Sequence, residues 1–341
     1  CIRDRYNPLP YQLNLPSLPA LGIMTNPVDN PNTIDGVKLG RMLFYDPILS
    51  GDSTLSCGGC HFQEFAFQDR NLAVSVGIDG IAGHRSSMPI QNLGFLVDFF
   101  WDGRARTLEE QALGPVPNPI ELHLAWPEAE MRLRRHADYP RLFKKAFNIS
   151  TASDITRDHV SMAIAQFERT IVSVDSKYDR VIRGEDDFTE LEADGFELYT
   201  TESGTNTDVE CFHCHNNAIG TFTDNRFRNN AITAAATPDD FPDLGLGEIT
   251  GRDIDKGRFK TPTLRNIEKT APYMHNGRFA TLEEVIDHYE SGGHPSPNVD
   301  VLISDGIDGL TTYDKQALIA FLKTLTDTVY LNNPDYSNPF E

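Results

Sequence analysis

The chain has 341 residues, 39% of them aliphatic, aromatic or cysteine, and a formal net charge of −20. That length suggests about two domains at roughly 150 residues each. The charge excludes an extended nucleic-acid surface, which would repel phosphate, and no stretch approaches the ~20 apolar residues that span a bilayer. The acidity itself reads as a solvated surface or as a docking face for a basic partner.

The chain begins at Cys1, the odd cysteine of five. A lipidated first residue, followed by a mobile Pro-rich tether over Tyr6 to Pro19, is the expectation; the alternatives are an artificial chain start or a free thiol. A single lipid would anchor the protein to a membrane without spanning it, and no other membrane contact is expected. Next, Gly36 to Phe44 reads as a helix with Val37, Leu39, Leu43 and Phe44 apolar. Cys57-Gly-Gly-Cys60-His61 and Phe67-Gln68-Asp69 follow. Helices are also expected over Trp126 to Arg135 and over Thr156 to Val172, where Val160, Ala163, Ile164, Phe167 and Ile171 form a stripe at helical spacing.

The second half repeats this order. A helix over Glu192 to Tyr199 precedes Cys211-Phe-His-Cys214-His215 and Phe222-Thr223-Asp224. Thr281-Leu-Glu-Glu284 reads as a capping box opening a helix through Tyr289, and Lys315 to Leu325 as a last helix. Strand patterns are short and few. The long Gly-, Pro- and Asn-rich connections suit a fold whose core is filled by a large cofactor. The expected fold is mainly α, with a tether at 1–30, domains at 31–172 and 173–330, and a tail at 331–341.

Cys-x-x-Cys-His is the attachment pattern of c-type haem. Two thiols at this spacing add across the two vinyl groups of one porphyrin, and the adjoining His lies under the iron. Cys57, Cys60 and His61 would hold one haem c, and Cys211, Cys214 and His215 a second. His213, between the second pair, reads as a filler of the haem-edge loop. The rival readings are a zinc site, which needs about four ligands, a redox dithiol, which would sit beside a βαβ pattern, and a disulfide. A pure electron carrier needs both iron faces filled; a peroxidase needs one open face and an acid–base group above it. The segment from Phe100-Trp101-Asp102-Gly103-Arg104 through Gln111 and Pro115 to Asn118-Pro-Ile-Glu121 offers such groups. Taken alone, Glu121 in a Pro-rich loop reads as a solvated acid.

Leu39-Gly-Arg-Met-Leu-Phe44, Leu49-Ser-Gly-Asp52, Phe100 to Glu121, Phe167-Glu-Arg169, Phe222-Thr-Asp-Asn225, Lys260-Thr-Pro-Thr-Leu-Arg-Asn266 and Ala271-Pro-Tyr-Met-His-Asn-Gly-Arg278 resemble the bacterial dihaem cytochrome c peroxidase and MauG family. The resemblance covers nearly the whole chain. It implies two cytochrome c-like domains, each binding one covalently attached haem c. It makes Glu121 the distal acid–base residue, Gln111 a distal-pocket glutamine and Trp101 an electron relay between the haems. Hydrogen peroxide would react at the haem on His61, with electrons arriving through the haem on His215 from a small cytochrome c or cupredoxin. The alternative is a MauG-like oxidase that draws electrons from Trp or Tyr of a partner protein. A third reading is a dihaem electron carrier, against which Glu121 and Gln111 speak.

The same resemblance bears on ligands. The sixth ligand of the second haem falls fourteen residues after His275, at Tyr289, where typical peroxidases have Met and MauG-like members have Tyr. Met274 stands where the family has a bulky residue that is not the ligand. The distal His of reductively activated members has no counterpart, Ile78 standing at its position; His84 is the one histidine in that loop and would need a rearrangement to reach the iron. A calcium ion is expected between the domains on the backbone oxygens of Thr270 and Pro272, with Ser86 in place of the family's Asn ligand. Haem attachment to cysteine takes place outside the bacterial cytoplasm, so a periplasmic location is expected.

Overall fold

A computed structural model describes residues 8–16, 21–202 and 209–341; Cys1 and Tyr6 lie outside them. The first half contains α1 (Ile34–Tyr45), α2 (Leu108–Ala112), α3 (Trp126–Arg135), α4 (Tyr139–Phe147) and α5 (Arg157–Glu168). Then come α6 (Lys177–Ile182), α7 (Glu190–Thr200), α8 (Leu246–Thr250), α9 (Leu282–Glu290), α10 (Val301–Ser304), α11 (Thr312–Lys323) and α12 (Thr328–Leu331). Among the described residues the one sheet is a two-residue antiparallel pair, β1 (Phe227–Arg228) and β2 (Phe259–Lys260). The predicted helices are present, Trp126–Arg135 with the bounds expected and the others with shifted ends. The helix expected to run to Val172 stops at Glu168, because the Arg169, Thr170 and Ile171 amides turn onto nearby carbonyls and the chain goes extended. The capping box at Thr281 forms as read: its hydroxyl accepts from Glu284 N–H while the Glu284 carboxylate accepts from Thr281 N–H.

Beside two small clusters, two large apolar cores stand out among the described residues. One gathers Leu39, Leu43 and Phe44 of α1 with Phe143, Ile164 and Phe167; the other gathers Tyr199, Phe222, Ile286, Leu318 and Phe321. The internal duplication extends to the helix crossings. A Cβ on Gly40 of α1 would sit 1.8 Å from the Ala163 carbonyl oxygen and 3.0 Å from Phe167 Cβ. A Cβ on Gly195 of α7 would sit 1.9 Å from the Ala317 carbonyl oxygen and 2.9 Å from Phe321 Cβ. In each half the first helix presses a glycine onto an Ala-x-x-x-Phe face, so backbone meets backbone.

Residues 8–16 and the C-terminal tail pack onto the rest of the chain. The described part of the expected mobile tether is docked: Tyr11 N–H donates to Asn32 O at 3.0 Å, Ile34 N–H to Leu9 O at 2.9 Å, and Leu13 and Leu15 pack with Val172 and Val174. Apolar side chains and paired backbone groups hold it down, which a Pro-rich composition conceals. The tail returns to the first core, where Tyr330 and Tyr336 are buried and Arg41 Nε donates to Ser337 O at 2.7 Å. A buried polar seam joins the halves. Gln91 Nε2 donates to Arg265 O at 2.6 Å, Asn92 Nδ2 donates to Ser173 O at 3.0 Å, and Ser173 N–H donates to Asn92 Oδ1 at 2.8 Å.

Candidate active site

Each Cys-x-x-Cys-His motif forms one short turn. His61 N–H donates to Cys57 O at 3.0 Å and His215 N–H to Cys211 O at 2.9 Å, so each His follows directly beneath its cysteines. Among the described residues all four cysteines are free thiols. Cys57 and Cys60 line a cavity of about 480 Å³, and Cys211 and Cys214 a second of about 220 Å³. The two pairs therefore do not converge on one four-ligand zinc site, and burial pushes all four thiols up.

The histidines are oriented alike. His61 Nδ1–H donates to Phe67 O at 2.6 Å, and His215 Nδ1–H to Pro262 O at 3.0 Å and Phe222 O at 3.3 Å. Phe67 and Phe222, the repeated Phe-x-Asp positions, have φ of +61° and +53°, an arrangement that turns their carbonyls towards the rings. This leaves Nε2 of each His as the free ring nitrogen beside its cavity. Burial also lowers both pKa values, keeping the imidazoles neutral. A His whose N–H is held by a carbonyl is the usual arrangement of a metal-binding imidazole.

The first cavity collects the expected acid–base groups. Glu121, Gln111, Trp101 and His84 all line it with His61. Glu121 Oε1 accepts from Asn118 Nδ2 at 2.6 Å. Burial raises its pKa, with the Asn118 hydrogen bond and the Arg104 charge opposing. Ile78 N–H donates to Glu121 O at 3.0 Å, tying the loop that carries His84 to the loop that carries Glu121. Glu168, from the C-terminal end of α5, is a further buried acid on this wall, with no hydrogen-bond partner at Oε2. Sequence reasoning counted Phe167-Glu-Arg169 in the family resemblance but gave Glu168 no role of its own.

Tyr289 lines the second cavity with His215, Met274, Thr270 and Pro272. It sits on α9 one position after buried His288, and burial pushes its phenol up to about 12. Asn230, which no sequence signal marked, reaches both Met274 and Tyr289. His213 stays at the surface facing Glu202 and Glu210, each at 3.8 Å.

Trp101 belongs to both cavities, as do Ser86, Ser87, Pro89 and Lys260 to Thr263. Trp101 is 9% exposed, and its carbonyl accepts from Lys260 N–H at 2.8 Å. Lys260 Nζ is buried against the Val97 carbonyl at 2.6 Å and that of Asp98, and desolvation pulls its pKa down to about 8. Asp102 pairs with Arg85, which also holds Asp243 at 2.7 Å. The residues around each cavity thus fit a covalently bound haem: two thiols, a neutral oriented imidazole and an apolar wall.

Comparison with known proteins agrees. The sequence profile of di-haem cytochrome c peroxidase matches residues 35–187. The methylamine utilization protein MauG of Methylorubrum extorquens is 34% identical, covering 88% of this chain and 80% of that protein. The cytochrome c551 peroxidase of Nitrosomonas europaea is 34% identical, covering 91% and 84%. A crystal structure of a MauG-like protein associated with microbial copper homeostasis superposes with a TM-score of 0.86 at 37% identity, covering 97% of this chain and all of that one. The fold alone is shared with the diheme peroxidase BthA of Burkholderia thailandensis, TM-score 0.73 at 22% identity over 90% of each chain. With its paired haem-attachment turns and these relatives, the chain belongs to the dihaem cytochrome c peroxidase and MauG family, and is a haem peroxidase by class.

Proposed function

We propose that this protein reduces hydrogen peroxide at a haem held by Cys57, Cys60 and His61, fed by electrons through a second haem held by Cys211, Cys214 and His215. Each core then forms one cytochrome c-like domain. The observation that carries the reading is Glu121, a carboxyl with raised pKa lining the same cavity as His61 and Gln111. When bound, haem supplies the redox iron to which peroxide oxygen binds. Glu121 Oε2, with Oε1 fixed by Asn118, takes the proton from one peroxide oxygen and returns it to the other, so that water leaves instead of hydroxide. Gln111 orients the peroxide. The balance is one peroxide, two electrons and two protons to two waters.

Trp101, in the wall between the cavities, is the electron relay. Tyr289, which lines the cavity of His215, would hold the second haem from its other face, where a hard oxygen would lower the iron potential relative to a thioether. That ligand favours a second reading, a MauG-like oxidase whose electrons come from Trp or Tyr of a partner protein. In the first reading the donor is a small cytochrome c or cupredoxin. The backbone oxygens of Thr270 and Pro272 would hold calcium, with Ser86 standing in the sequence where the family has its Asn ligand. The protein works in the periplasm; among the described residues no helix is long and apolar enough to cross a membrane.

Adding peroxide to the diferric protein tests both readings. Rapid turnover only with a reduced small cytochrome supports the peroxidase. A long-lived state with both haems oxidised, discharged by a protein partner, supports the oxidase. No spectral change would leave an electron carrier.

A further inference from the structure

Asn230 has no task in the reading above, yet it touches two side chains of the second cavity that can donate to iron. Its carboxamide Nδ2 donates to Met274 Sδ at 3.2 Å and to Tyr289 Oη at 3.4 Å. The two protons of one amide group thus go to a thioether and a phenol that line the same cavity as His215. Asn230 is itself held in place. His288 Nε2–H donates to its backbone carbonyl at 2.8 Å, and His288 precedes Tyr289 on α9. On the other side, Asn229 Oδ1 accepts from Ala231 N–H at 2.9 Å while Asn229 Nδ2 donates to Pro297 O at 2.7 Å. Met274 is fixed as well. It adopts φ +73°, a conformation that bulky side chains rarely take, inside a turn closed by Gly277 N–H to Met274 O at 3.1 Å.

We propose that Asn230 is the positioning residue for the sixth ligand of the second haem, presenting the Tyr289 oxygen while holding the Met274 sulfur beside it as the alternative donor. This rests on the reading of Tyr289 as ligand. A hydrogen bond to a ligand atom draws charge from it and weakens its donation, so Asn230 raises the potential of a tyrosine-ligated iron. Met274 is the soft donor that the same amide keeps within reach of that site. A thioether in the sixth position raises the potential further and gives a distinct ferric spectrum.

The test uses the purified dihaem protein and three variants: Asn230→Leu, Tyr289→Phe, and Tyr289→Phe with Met274→Leu. Redox titration and ferric optical and paramagnetic resonance spectra are recorded for each. Asn230→Leu is expected to lower the midpoint potential of the second haem and leave that of the first unchanged. Tyr289→Phe is expected to gain the near-infrared sulfur-to-iron charge-transfer band, and the double variant to lose it. A wild type with a phenolate-to-iron band and an Asn230→Leu potential that does not move overturns the proposal alone. Identical spectra for the single and double Tyr289 variants overturn the role of Met274. A wild type lacking the phenolate band overturns the ligand reading and this proposal with it.

Discussion

The Trp101 indole N–H donates to the Ser86 carbonyl oxygen at 2.8 Å, and both residues line the two cavities. Ser86 in turn donates its own N–H to His275 O at 2.7 Å. The ring is therefore tethered through a single residue to the segment of Thr270 and Pro272. Anything that orders that segment, a bound cation included, also orders the indole. A buried indole N–H needs such a partner, and here the partner is the backbone of Ser86, a residue that lines both cavities, instead of a neighbouring core side chain.

Trp101→Phe keeps the aromatic volume and removes both the N–H and the easily oxidised ring. Expected is a fall of at least about tenfold in electron transfer between the haems, with the spectra of both unchanged, an order of magnitude corresponding to ~1.4 kcal/mol of barrier. Stopped-flow reduction of peroxide-treated protein reads the rate directly. A wild-type rate in the variant would remove Trp101 from the electron path.

Glu121→Gln keeps the shape and the contact with Asn118 but cannot accept a proton. A positioned acid–base group contributes about 10²- to 10⁴-fold, so kcat/KM for peroxide is expected to fall by that order while both haem spectra persist. The pH profile adds a sign. The base is active when deprotonated, and burial raises its pKa, so activity is lost as pH falls through a value above the ordinary ~4.3 for Glu. The variant should lack that acid limb. An acid limb that survives in Glu121→Gln would assign it to another group.

The haem turns were legible because their chemistry is local: two thiols and a His need fixed spacing, and the helix before each carries its own apolar stripe. The orientation of the two histidines was half legible. The Phe-x-Asp recurrence was visible, but that Phe67 and Phe222 contribute their carbonyls depends on a positive φ that no Phe side chain advertises. Asn230 and Glu168 were not legible at all. Each matters through a contact or burial set by distant segments, and an Asn after a two-residue strand, or a Glu at a helix end, ordinarily faces water. The docking of residues 8–16 and of the tail was concealed for the same reason: Tyr330 and Tyr336 join a core whose other buried members lie more than 150 residues earlier in the chain.

Glu168 gives a stability prediction. It is 4% exposed, and burial pushes its carboxyl up to about 8, with the Arg169 charge opposing and that of Glu109 adding. Below about pH 4 it is protonated in both folded and unfolded chains, and folding carries no ionisation cost. As pH rises the unfolded chain ionises first, so this residue's contribution to stability is lost progressively up to about pH 8, with a limiting slope of ~1.4 kcal/mol per pH unit. Glu168→Gln should remove that loss, stabilising the protein more at pH 8 than at pH 5. Denaturant titration of the haem-loaded protein at both values decides it. Equal stabilisation at the two pH values would mean that the carboxyl ionises as easily folded as unfolded.

The paired glycines predict matched damage in two places. A methyl on Gly40 or Gly195 would fall under 2 Å from a carbonyl oxygen of the facing helix, Ala163 in one case and Ala317 in the other. The obstacle is backbone, so relief requires the helices to separate, and overpacking of this kind costs about 1–3 kcal/mol. Gly40→Ala should loosen α1 from α5, and Gly195→Ala should loosen α7 from α11, each lowering the unfolding midpoint of the haem-loaded protein. Because the two crossings belong to different cores, the losses in the double variant should sum. Differential scanning calorimetry of the three variants measures this. A methyl accepted at either crossing without loss would show that the helix pair there can slide apart, and that the close backbone approach repeated in both halves is not what fixes the helices behind each haem turn.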